Sequence, residues 1–575
     1  MRRLWGIFLA LVLVMTLSVA GCSKGGPPSS EKKLKPEDLK IGYNPAPDPS
    51  KIPAKSKERT DTIILGMQAP QGKFNPAYVD SAYDDYVNSL IFEALGKVDK
   101  DGSVVPDVAT WEIQDGGKTY VFRLNPEAKF ADGTPITARD AEFYFYITLD
   151  PTYDGPVNML SAKIVGAKEY HEDKEGKVKE IRGVQVLDEH TLRVEVEEPL
   201  AITINYLTVP LLPKHYYGKD FQKGDLSKVK ELLSKPLGSG PYKLEKFVPD
   251  QEVRLVANEN YWRKDKMPKM KTVIVKPTTQ ETNLQLLGAG DTDFEEGITV
   301  NRDNLEALLD YGFLDINLLL NNGFGYISVN HNNEILKDKR VRQALLYGLD
   351  RKAVVQGAFQ GFAEVIDVPQ TKVSWGYPDE AGLTHYDYNL DKAKQLLEEA
   401  GWKMGSDGYR YKDGKKLEFH YVASHPNPVN QVLVPLAKES YKTLGIDLVV
   451  DQLDFNAMIE KMNKGDYDLA FLAVGLGNDP DPYSLFHTNG ARNKQMYHYS
   501  NPEVDKLIDE GRREFDKQKR KEIYNKLYKL LNEEVPILYV YQRYNLNTWN
   551  ARLTGFDITP FYDFTNSLPQ VHVKE

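Results

Sequence analysis

The stretch 467–486, YDLAFLAVGLGNDPDPYSLF, decides how the rest of the chain is read. Residues 468–474 form a short apolar run between turn residues, the pattern of a strand buried on both faces inside an α/β sheet. The run breaks off at Gly475 and Gly477, which free the backbone where such a strand leaves its sheet. Asn478, Asp479 and Asp481, interleaved with Pro480 and Pro482, then set acceptors on a stiffened turn. In open α/β sheets ligands settle outside the carboxyl ends of the strands, where backbone groups are free and loops converge. Gly475, Leu476, Gly477, Asn478, Asp479 and Asp481 are therefore candidate ligand-binding residues. The competing reading is a plain connecting turn, since Asp-Pro pairs are common loop chemistry.

Working outward, residues 456–463 read as a helix that re-enters the strand through Gly465-Asp466-Tyr467-Asp468. The same joint occurs earlier, with a helix over 280–287, then Gly290-Asp291-Thr292-Asp293 and a strand. Two such joints predict two α/β lobes. Strands over 417–422 and 446–450, a helix over 429–444 and helical spacing at Val341, Ala344, Leu345 and Leu349 predict a largely parallel sheet in the second lobe. In the first, 61–67 reads as a strand, 68–76 as a turn-rich loop and 80–95 as a helix. The strands and turns between about 97 and 212 read as an inserted subdomain. A strand over 535–541 has no place in the second lobe and is expected to return to the first. The expected division is 61–325 for the first lobe with its insertion, 326–535 for the second and 536–575 for the return, with hinges near Gly325 and Val535.

Composition sets further bounds. A chain of 575 residues exceeds one core, and a formal charge of −10 without a basic stripe excludes a nucleic-acid binder. Arg2 and Arg3, the apolar residues 4–17 and the small residues after them make an export signal, too short for a stable membrane span. Val19-Ala20-Gly21-Cys22 resembles the lipobox of bacterial lipoproteins, which implies a signal peptide over 1–21 and lipid on Cys22, the only cysteine. Residues 22–60, rich in Pro, Lys, Ser and Gly, read as a flexible tether. No nucleophile elbow, phosphate loop, zinc helix or paired cysteine motif is present in the chain. Neither a catalytic residue nor a metal site nor a cofactor is assigned.

Six segments stand in a telling order: Pro106-Asp107-Val108-Ala109-Thr110-Trp111, Phe130-Ala131-Asp132-Gly133-Thr134-Pro135, Leu212-Pro213-Lys214-His215, Gly238-Ser239-Gly240-Pro241-Tyr242, Asn260-Tyr261-Trp262 and Arg340-Val341-Arg342-Gln343-Ala344-Leu345. From Asp61 onward the chain resembles the extracellular solute-binding proteins, family 5, that serve oligopeptide, dipeptide and nickel ABC importers. The resemblance implies a two-lobed, periplasmic-binding-protein-like α/β fold (type II, class C) with an extra subdomain in lobe I. It also implies oligopeptide capture, delivery to permease subunits with separate ATPase chains, and no catalysis. In the family's peptide binders an Asp often stands where this chain has Asn478, pairing with the ligand's α-ammonium; Asp479 or Asp481 is the expected substitute. Residues 67–75, Phe74 and Asn75 above all, are expected to supply the opposite wall, with Trp375, Tyr377 and Arg492 as further candidates. A monomer anchored through Cys22 to the outer face of the cytoplasmic membrane, or periplasmic where an outer membrane exists, is expected. Two alternatives remain: a binder of an oligosaccharide or a nickel chelate, and a secreted hydrolase.

Overall fold

The computed structural model describes residues 34–574, so the export signal and Cys22 lie outside the described residues. Most of the strands join one thirteen-stranded sheet. From one edge it runs Asp447–Leu453, Glu418–Ser424, Leu469–Gly475, Gly323–Val329, Leu538–Asn550, Phe294–Glu296, Thr62–Met67, Thr272–Pro277, Glu252–Ala257 and Tyr242–Val248. Leu314–Leu320 and Ala363–Val365 pair with the sides of Leu538–Asn550, and Gly42–Asn44 pairs with Leu314–Leu320.

The strand Leu538–Asn550 belongs to both halves. Its first part pairs with Gly323–Val329 at Tyr326↔Tyr539, and its second with Phe294–Glu296 at Glu296↔Asn547. The chain also crosses between the halves at Asn321 and Asn322, between the strands Leu314–Leu320 and Gly323–Val329. These crossings fall a few residues from Gly325 and Val535. Val535 itself is the left-handed cap (φ 45°) of the helix Lys517–Glu534, and a Cβ on Gly325 would meet the ring of Tyr541 at 2.3 Å.

Two buried clusters flank the crossings. One gathers side chains from Phe324 to Tyr541, the other from Ile63 to Val571, and the latter includes the antiparallel sheet of Ala109–Gln114, Thr119–Leu124, Val184–Asp188 and Thr191–Glu195. In the second lobe Glu418–Ser424 is parallel to Asp447–Leu453 and to Leu469–Gly475, as helical crossovers require. The strands Gly323–Val329 and Leu538–Asn550 run antiparallel there, so the sheet is mixed rather than largely parallel. Leu469 to Leu472 are buried and the backbone emerges at Ala473 to Gly475, where the apolar run ends.

The second half of the stretch read as a tether is folded onto the body. Gly42–Asn44 is a strand on Leu314–Leu320, Ser56 is buried, and Arg59 pairs with the fully buried Asp293 at 2.7 Å. Backbone hydrogen bonds and one buried charge pair do here what apolar content does elsewhere, which is why composition alone predicted flexibility. Among the described residues no helix is long and apolar enough to cross a membrane.

Candidate functional site

A cavity of about 790 Å³ lies at the crossings, bounded by both lobes. The second lobe contributes Gly475, Leu476, Asn478, Phe359 and Phe362; the first contributes Tyr83, Tyr86, Glu296 and the irregular runs 297–300 and 558–564; the crossing strands supply Asn321, Asn322 and Arg543 to Asn547. The size suits a bound small molecule or short peptide.

The loop after the organising strand reaches this cavity, but its charges do not. Leu476 donates its amide to the carbonyl of Asn322 (2.8 Å), and the Asn322 amide donates to the carbonyls of Leu476 and Gly477 (3.0 Å each). Asn478 holds the other lobe: its Nδ2 donates to the carbonyl of Gly102 (2.9 Å), and its Oδ1 accepts from Asn205 (3.1 Å). Asp479 faces inward to Arg520, which donates through Nη1 at 2.6 Å and Nη2 at 2.8 Å. The Asp481 side chain is tucked beside Arg512, whose Nε lies 3.0 Å away without alignment for a hydrogen bond. Burial pushes the Asp481 carboxyl up to about 6, against the pull of Arg512. Neither acid stands free for a ligand's ammonium, and neither lines the large cavity. Both guanidinium partners arrive from helices that follow, Pro502–Arg513 and Lys517–Glu534.

The expected opposite wall is also elsewhere. Phe74 is fully buried against Phe247 (5.0 Å between ring centroids), its amide donating to the Leu233 carbonyl, and Asn75 is buried with Oδ1 capping Ala77. The facing wall comes instead from Tyr83 and Tyr86 on the helix Ala82–Ile91 and from the residues after Phe294–Glu296. Trp375 packs on Tyr524 and under Arg520, and lines a separate space of about 200 Å³ that Asn478 and Asp479 also border. Tyr377 donates to Glu380 at 3.3 Å, and half-buried Arg492 acts electrostatically on the Tyr326–Tyr497 hydroxyl pair; neither lines the cavity. Glu296, Asp563 and Arg543 were missed by the sequence reading. The joint at 290–293 predicts a strand after it, but nothing local marks which of its residues faces a cleft.

Glu296 is half-buried and accepts from the Tyr86 hydroxyl through Oε1 at 3.3 Å. Burial, then the neighbouring Asp563, raises its pKa, with Tyr86 pulling the other way. In the run 297–300 the amides of Ile298, Thr299 and Val300 donate to no group among the described residues. Gly297 and Thr299 are exposed and Val300 is half-buried, while Ile298 is buried.

Two lobes of mixed sheet, joined by more than one crossing and closed around a central gap, define the architecture of an extracytoplasmic solute-binding protein. The chain belongs to the family described as Bacterial extracellular solute-binding proteins, family 5 Middle, whose profile matches residues 103–496. Among its relatives, the oligopeptide-binding protein AppA of Bacillus subtilis is 28% identical over 568 residues, covering 97% of each chain. The oligopeptide-binding protein OppA of the same organism is 26% identical, covering 96% of this chain and 95% of the relative. The structure of Bacillus subtilis AppA in complex with a nonapeptide superposes with a TM-score of 0.67 at 27% identity, over 89% of this chain and 99% of that one. The unliganded open form of the murein tripeptide binding protein MppA gives a TM-score of 0.74 at 22% identity, over 89% and 97%, a likeness of fold. The family is one of binding proteins rather than enzymes, which removes the hydrolase alternative.

Proposed function

We propose that this chain is the receptor of an ABC importer, capturing oligopeptides between its lobes and delivering them to a membrane permease powered by separate ATPase subunits. The observation that carries the reading is the cavity, walled by both lobes, where amides at 298–300 that donate to no group among the described residues stand with the aromatic rings of Tyr83, Tyr86, Phe359 and Phe561. Main-chain donors recognise any peptide, because they pair with what all peptides share, and rings supply contact area without demanding one side chain. The named relatives that bind oligopeptides support the same cargo. The lipobox at Cys22 supports a chain tethered to the outer face of the cytoplasmic membrane, with Gly42–Asn44 lying on the first lobe.

Mass spectrometry of the purified chain under native conditions tests the cargo: co-purifying masses should dissociate into peptide ladders. Calorimetric titration with mixed peptides, oligosaccharides and nickel-histidine should give heat with the peptides alone. Saturable binding of a sugar or chelate with none of peptide refutes the assignment. Replacing Cys22 with Ser should release the expressed protein from the membrane fraction; retention there would refute the anchor.

A further inference from the structure

We propose that the first lobe carries a second binding site, separate from the cleft, for a small primary amine with an apolar body. The ammonium sits among Asp85, Asn88 and Ser89 of the helix Ala82–Ile91, and the body lies against Phe92, Pro210, Pro241 and Tyr562. Such a site serves regardless of what the cleft carries, so it stands apart from the receptor reading.

A cavity of about 580 Å³, in the size range of small-molecule sites, is walled by first-lobe residues alone, and none of its lining residues lines the cleft. One helix walls both spaces. At about 100° per residue, Tyr83 and Tyr86 fall on the side that lines the cleft, while Asp85, Asn88 and Ser89, with Phe92 at the end, fall on the side that lines the second cavity. The C-terminal segment divides in the same way: Asp563 and Phe564 line the cleft, Thr565 and Asn566 the second cavity. The two elements meet where Tyr86 packs on Phe564, 4.8 Å between ring centroids.

The polar groups on the helix wall lack partners. Asp84 spends its carboxylate on the amides of Gln71, Gly72 and Lys73, but Asp85 accepts no hydrogen bond and forms no ion pair among the described residues. The Ser89 hydroxyl is likewise without a partner there, and Asn88, 3% exposed, has an Oδ1 to which no described group donates. Positions i, i+3 and i+4 are neighbours on a helix surface, so three oxygens stand together with no donor between them. A primary ammonium has three N–H groups and a charge, and satisfies all three at once. Asp85 is exposed, yet burial and then Asp563 push its carboxyl up to about 6, the surroundings of a concave wall rather than of an open helix face.

The other charges of the cavity cancel. Arg263 reaches Glu93 at 3.2 Å and Asp107 at 2.7 Å, and Lys97 lies 3.6 Å from Asp107. Asp265 and Lys266 are adjacent and opposite in sign. Asp85 is left as the unbalanced charge, and the prolines and rings around it offer apolar surface to the rest of a ligand.

Calorimetric titration of the full chain with tryptamine and with the slimmer n-hexylamine, each against the alcohol of the same skeleton, tests the site. At least one amine should bind saturably, and its alcohol about tenfold or more weakly, the loss expected of a charge-assisted hydrogen bond. Asp85→Asn, at an exposed position, should keep the parent's melting temperature and bring the amine down to the level of its alcohol. Ser89→Ala, also exposed, gives a second reading, with amine affinity about two- to tenfold lower. Glu296→Gln, which removes an acid of the cleft, should leave amine affinity as it was. No saturable binding of either amine into the millimolar range, or an amine affinity that survives Asp85→Asn or falls with Glu296→Gln, overturns the second site. Each of those results leaves the peptide reading of the cleft standing.

Discussion

Replacing Asp479 with Asn separates a ligand group from a structural one. Arg520 is 5% exposed and makes four internal hydrogen bonds: two to Asp479, one to the Gly511 carbonyl at 2.7 Å and one to the Tyr524 hydroxyl at 2.9 Å. Removing one partner of a buried pair costs about 3–5 kcal/mol, because the other charge stays behind in low dielectric. Asn keeps the shape and one acceptor, so the lower end, about 3 kcal/mol, is expected for Asp479→Asn. For a cooperative unit of about 150–250 residues, 1 kcal/mol corresponds to roughly 2–4 °C, so the calorimetric transition should fall by about 6–12 °C at neutral pH. Peptide affinity, titrated well below that transition, should change little. The double variant Asp479→Asn/Arg520→Met should recover stability relative to the sum of the singles, with a coupling of about 0.5–3 kcal/mol. An unchanged melting temperature together with collapsed affinity would show that Asp479 holds the ligand.

Three further outcomes can be measured. Burial lifts the Glu295 carboxyl from an ordinary 4.5 to about 7, against the Thr292 and Thr278 hydroxyls it accepts. A raised folded pKa means stability held below about pH 4.5 and lost as pH rises through about 7, a change on the order of 3 kcal/mol. Glu295→Gln should therefore melt higher than the parent near pH 8 and lose that slope, and an unchanged slope would refute it. A Cβ at Gly66 would sit 2.0 Å from Glu295 Oε1, a carboxylate pinned by two threonines, so Gly66→Ala should cost about 1–3 kcal/mol in denaturant melts. Lys517 reaches Asp101 (2.7 Å) and Ser103 (2.6 Å) on the other lobe, and Asn205 reaches Asn478. Lys517→Ala with Asn205→Ala should weaken this contact by about 1–2 kcal/mol in all, visible as a larger radius of gyration in solution scattering of the unliganded chain; no change would mean the contacts do not hold the lobes.

The periodic elements were legible in the sequence because their causes are local. The run 468–474, the Gly465 joint and the helix over 429–444 are each decided by residues within one or two turns. The partners of the loop acids were not. Asp479 looks like an exposed acceptor until Arg520, forty-one positions on, is folded against it. Phe74 and Asn75 sit in a loop of turn residues, yet Phe247 and Leu233 close over them from far along the chain. Glu296 faces the cleft only because its strand pairs with Leu538–Asn550, a register that no local pattern carries.

That last strand has a consequence for how the molecule is made. Leu538–Asn550 is the shared spine of both lobes, and along the chain it follows every other strand of the thirteen-stranded sheet. Until that strand is seated, the sheet of each lobe lacks an inner member. A break in this strand is therefore felt in both halves at once rather than in either alone.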